Sequence, residues 1–109
     1  MISGASGTTT HNTRDGSVFF HESLGGDFAA DFTNLSIPAG NLGVLTLILE
    51  QGASARMCTG VKINGVGQTI LWEGGSQPSG TSNGFDLVTF KVLYDGTNYL
   101  VLGKSESYS

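Results

Sequence analysis

Apolar residues in this chain never recur with the three-to-four-residue spacing that lines one side of a helix. They come in short bursts, each closed by Gly, Asn, Asp or Pro, at intervals of roughly 8 to 12 residues. That rhythm belongs to strands linked by turns, and no capping box precedes an apolar run as a helix start would need. Residues 27–32 carry the strand period most cleanly: Phe28, Ala30 and Phe32 fall on one face, Asp27, Ala29 and Asp31 on the other. Further strands are expected over 17–21, 43–51, 56–59, 61–63, 68–72, 85–94 and 99–104. Asn64-Gly65 is a favoured two-residue hairpin turn, because both positions need positive φ. A second hairpin turn is expected at Asp95-Gly96-Thr97-Asn98, and a long unpatterned loop over 73–84.

At 109 residues the chain supports one domain with one core. About seven or eight strands in that length define the expected fold class: all-β, an antiparallel β-sandwich of jelly-roll type. Residues 1–16 are almost devoid of apolar side chains and read as a flexible N-terminal arm, leaving 17–109 as the sandwich domain. The segment 43–51 departs from clean alternation, with apolar residues at both parities. A central strand covered on both faces fits that pattern, and so does one packed at a subunit interface. Val44, Thr46 and Ile48 are accordingly the candidate interface residues. Charged residues make up only 13%, about half the usual roughly 25%, so Ser, Thr, Asn and Gly must solvate the surface. Such surfaces suit a protein that packs against copies of itself or sits in a large assembly.

Several function classes find little support. The formal charge is −4, and the five basic residues are scattered, whereas nucleic-acid binding needs clustered Lys and Arg. The longest apolar run, 44–49, is far shorter than the ~20 residues that span a bilayer, so no membrane insertion is expected. The opening residues are small and polar rather than basic then apolar, which is not a signal-peptide pattern. Cys58 is the only cysteine; it reads as a buried apolar residue, the alternative being a thiolate activated by a nearby His. Asp27 and Asp31 lie about 13 Å apart on one strand face, too far to share an ion. His11 and His21 flank Asp15, but the stretch lacks the helical pattern that would bring such a set onto one metal. No nucleophile elbow, zinc-protease, P-loop or dinucleotide motif occurs. The expectation is a non-enzyme with no catalytic residue, no metal site and no cofactor.

Trp72 admits two roles. It can stack on a sugar, with Tyr99 among the tyrosines able to assist, or it can cap the core at a strand end. Trp72 and Tyr99 are therefore the candidate ligand-binding residues.

Longer-range order adds a resemblance. Asp31-Phe32-Thr33-Asn34-Leu35 leads to Leu45-Thr46-Leu47-Ile48-Leu49-Glu50-Gln51-Gly52, then Trp72-Glu73-Gly74-Gly75-Ser76-Gln77-Pro78. Asp86-Leu87-Val88-Thr89-Phe90, Tyr94-Asp95-Gly96-Thr97 and residues 99–103 complete the series. This succession resembles a structural module of tailed-bacteriophage virions, notably those of marine cyanophages, found in fibres, appendages and decoration proteins. The resemblance covers nearly the whole chain. It implies a virion location after synthesis in the host cytoplasm, homotrimerisation, and contacts with other virion proteins. A host surface glycan is a further partner if Trp72 and the 73–84 loop bind carbohydrate, which makes a carbohydrate-binding module the alternative function.

Overall fold

The computed structural model describes all residues 1–109, and the chain is all-β, built from ten strands in two sheets. The strands are β1 (Ile2–Ser3), β2 (Gly7–Asn12), β3 (Val18–Glu22), β4 (Phe28–Thr33) and β5 (Asn41–Glu50). They continue as β6 (Cys58–Ile63), β7 (Val66–Gln68), β8 (Ile70–Trp72), β9 (Phe85–Tyr94) and β10 (Tyr99–Tyr108). One sheet has six strands in the order β1-β3-β5-β9-β10-β8; the other has four, β2-β4-β6-β7.

From β1 to β6 the chain alternates strictly between the two sheets, odd-numbered strands joining one and even-numbered strands the other. Every second connection therefore returns the chain to the same sheet in the same direction. The pairs β1/β3, β3/β5, β2/β4 and β4/β6 are parallel as a result, and so is β8/β10. Only β5/β9, β9/β10 and β6/β7 are antiparallel. This corrects the expectation of antiparallel pairing throughout. A turn signal shows where the chain reverses; it carries no information on whether the next strand joins the same sheet or the opposite one.

The N-terminal segment is a second correction. Residues 1–16, expected as a flexible arm, carry β1 and β2, and β2 pairs with β4 from Gly7–Phe28 to Asn12–Thr33. Both are edge strands, so they need few apolar side chains. The buried anchor of β2 is polar: His11 is fully enclosed.

Inward side chains of both sheets form one core. Phe28, Ala30 and Phe32 of β4, Leu45, Leu47 and Leu49 of β5, and Val88, Phe90 and Val92 of β9 are buried, as the period of two requires. The Asn64-Gly65 hairpin forms as expected, with φ of 49° and 84°. In the second hairpin the Asp95 carboxylate accepts the N–H groups of Asn98 and Thr97, which hold it below its usual pKa. The strand expected over 68–72 breaks at Thr69, and its two halves join different sheets.

A buried polar node fastens the long 73–84 loop. Asp86 is fully enclosed; its carboxylate accepts from the Thr81 backbone N–H (2.8 Å), the Thr81 hydroxyl (3.1 Å), the Gln51 amide (2.9 Å) and the Ser107 hydroxyl (3.0 Å). Gln51 also donates to the Arg56 carbonyl and accepts the Arg56 N–H, which ties in the β5–β6 connection. Asp86→Ala orphans four donors and is expected to cost about 2–4 kcal/mol, read as a fall in Tm of order 10 °C. Deletion of residues 1–16 is expected to abolish the cooperative thermal transition, whereas a free arm could be removed without effect.

Candidate functional site

The face of the six-stranded sheet that turns away from the core is the most distinctive surface of the molecule. On β5 the buried Leu45, Leu47 and Leu49 alternate with Val44, Thr46 and Ile48, which point outward. The three candidate interface residues thus share one face, with Val44 45% exposed and the other two half-buried. The chain covers only the inner side of β5. The both-parity pattern reflects a core on one side and an apolar outer face on the other.

Registry extends this face across the sheet. Leu42 lies beside Leu93, and Leu93 beside Leu100. Val44 lies beside Lys91, which neighbours Leu102, and Leu102 neighbours Leu71 of β8. Val18, Thr46, Thr89 and Lys104 form the next row; Phe20, Ile48, Leu87 and Glu106 the one after. Glu50, Phe85 and Tyr108 complete the face. Val18 at 58%, Leu71 at 53% and Leu42 at 50% exposure make a contiguous apolar surface across five strands, beyond the scattered exposed leucines of an ordinary monomer. The sequence analysis missed the contributions of β9 and β10, although both strands carry apolar residues at both parities like β5, a signal that could have found them.

Trp72 and Tyr99 do not converge. Trp72 pairs with Gly103 and turns its ring toward the core, 5.6 Å from the Phe90 ring. A Cβ on Gly103 would sit 2.7 Å from the indole, so glycine there leaves the space that the ring occupies. Tyr99 lies four residues back along β10, roughly 13 Å away, and stacks on Tyr94 at 4.6 Å. One edge of Trp72 reaches a cleft of about 570 Å³ on the outer face, walled by Glu73, Lys91, Lys104 and Glu106. Gly74 and Gly75, following Trp72, both take positive φ and make the tight turn that the Trp-x-Gly-Gly pattern encodes.

His11 and His21, ten residues apart, meet inside the protein from strands of different sheets, β2 and β3. Their Nε2 atoms are 2.7 Å apart, in a cage of Phe19, Phe28 and Phe32. Two imidazoles on one zinc would hold their nitrogens farther apart, at roughly 3.3 Å from ordinary Zn–N bonds; this spacing is a hydrogen bond. The partners fix the tautomers. His11 Nδ1 lies 2.9 Å from the Thr9 carbonyl and must donate to it, so its Nε2 accepts from His21. The Nδ1 of His21 is then a lone pair without a partner. Burial lowers the pKa of both rings, and His21 falls to about 4, helped by His11 and the N-terminal amine. The hydrogen bond to the Thr9 carbonyl and then the Asp31 charge act the other way on His11, but burial outweighs both.

Cys58 is enclosed and its thiol donates to the Gly60 carbonyl at 3.2 Å. Burial pushes its pKa up to about 12, the reverse of what a nucleophilic thiolate requires.

Comparison with family models, with curated proteins and with solved structures returns no match in any of the three.

The histidine pair makes stability pH-dependent with a definite sign. Because His21 is harder to protonate folded than unfolded, the unfolded chain takes up more protons as pH falls through 6.5 toward 4. Stability is full above about pH 7 and declines below it, by about 2 kcal/mol at pH 4.5 from this group. Thermal melts from pH 7.5 to 4.5 should show that decline, and a His11→Phe/His21→Leu double variant should flatten it.

Proposed function

We propose that this chain is a structural module of a bacteriophage virion, of the fibre, knob or decoration type. Its two sheets pack face to face as a sandwich, and it acts by assembling with its own copies and with other virion proteins. The observation that carries this reading is the apolar outer face of the six-stranded sheet, centred on Val44, Thr46 and Ile48. Leaving that much leucine and valine in water is unfavourable by about 25 cal/mol per Å², and a subunit contact removes the cost.

Two further observations support it. The narrowest dimension, 19 Å, suits two layers about 10 Å apart with their side chains. Parallel pairing of the first six strands distinguishes this sandwich from a plain jelly roll, in which neighbouring strands run antiparallel. The succession of motifs, which resembles that of tailed-phage structural proteins, supplies the virion context.

A carbohydrate-binding role rests on less, because Trp72 turns inward and Tyr99 is stacked elsewhere. Its place would be the cleft beside Trp72.

Light scattering of the purified chain is expected to return more than one chain per particle. An Ile48→Glu variant should shift it to a single chain with an unchanged circular dichroism spectrum. A monomer at every concentration, indifferent to Ile48→Glu, would overturn self-assembly. Immunogold labelling of phage particles tests the virion location separately.

A further inference from the structure

The outer face has polarity along its strands as well as apolar area. Across β5, β9 and β10 it consists of five rows of outward side chains. Starting from the β9–β10 turn, the first row is leucine only. Both lysines follow, Lys91 in the second row and Lys104 in the third; both registered carboxylates come last, Glu106 in the fourth and Glu50 in the fifth. One half of the face is therefore basic and the other acidic. Glu73, on the turn after β8, stands 3.9 Å from Lys104, and both groups are more than half exposed.

We propose that the occupant of this face is a second copy of the chain, stacked face to face about a twofold axis running across the strands at the level of Thr46 and Thr89. This deepens the self-assembly reading and rests on it. Rotation about that axis lays each strand over its own counterpart in the opposite direction. Val44 then meets Ile48 of the partner subunit, and Thr46 meets Thr46 of the partner subunit. Glu106 of the partner subunit arrives beside Lys91 and one pleat, about 7 Å, from Lys104.

Size and charge both favour this occupant. Five rows on three strands, two more positions on β3 and one on β8, at about 6.8 by 4.8 Å each, cover roughly 600 Å², about three quarters of the ~800 Å² per partner of a stable complex. An isologous contact must be self-complementary, and a face with basic and acidic halves is so only when the copies run antiparallel. The phage resemblance implies a homotrimer, and a threefold axis along the strands would bring equal rows together. Lys91 would then crowd Lys91, and Glu106 would crowd Glu106, at a contact that excludes solvent.

The test pairs solution mass with thiol cross-linking of the full chain, in which the buried Cys58 gives little background. Sedimentation should return two chains. With a short bismaleimide, Thr46→Cys should cross-link to itself. Val44→Cys alone should not, while an equimolar mixture of Val44→Cys and Ile48→Cys should. A Glu106→Lys variant should weaken association at least tenfold, and added salt should weaken the native dimer. Three chains per particle, or efficient self-linking of Val44→Cys, would overturn the twofold arrangement and leave self-assembly standing. A monomer that none of these variants cross-links would overturn both.

Discussion

Side chains from both sheets share one core, and the chain supplies it by crossing between the sheets at every connection of its first half. Leu47 of β5 shares that core with Phe28 and Phe32 of β4, and β4 is flanked by β2 and β6 on either side. In the long antiparallel trio β5, β9 and β10, β9/β10 is a local hairpin, whereas β5/β9 is a non-local pairing that joins residues 41–50 to 85–94. The same crossing order explains why a segment as polar as β2 is structural: without it the edge of β4 and the ring of Phe32 would be open to water.

Two polar devices hold this layered core in register. Asp86 and Gln51 gather two connections and the end of β10 around one buried carboxylate. The imidazole pair joins β2 of one sheet to β3 of the other, and it is stable only as a neutral pair with fixed tautomers. Such groups are costly to bury and costlier to leave unpaired, so they specify one arrangement of the strands in a way that interchangeable aliphatic contacts do not. The outer face follows a different logic, since its aliphatic side chains have no cover within the chain, and its few charges are sorted by sign along the strands.

Much of this was legible in the residues. Alternation in 27–32 identified the core face of β4, the both-parity apolar run in 43–51 marked one strand that bears an outer face, and Asn64-Gly65 located a hairpin to the residue. These are local properties: the period of two, the need for positive φ and the burial of apolar area act over a few neighbouring residues, and the order of residues states them directly. The all-β class and the three outward residues of β5 followed from such rules alone.

Tertiary structure decided the rest. Parallel or antiparallel pairing depends on which sheet each strand enters, and a turn has no means of recording that. The His11–His21 contact, the convergence of Gln51, Thr81 and Ser107 on Asp86, and the inward turn of Trp72 over Gly103 each join residues distant in sequence. Nothing in the local pattern around His11 distinguishes a solvated histidine from a buried one; only the enclosing phenylalanines from β3 and β4 do. The separation of Trp72 from Tyr99 and the sorting of lysine and glutamate along one face belong to the same kind, because both depend on register between strands, which is set by how the whole chain packs.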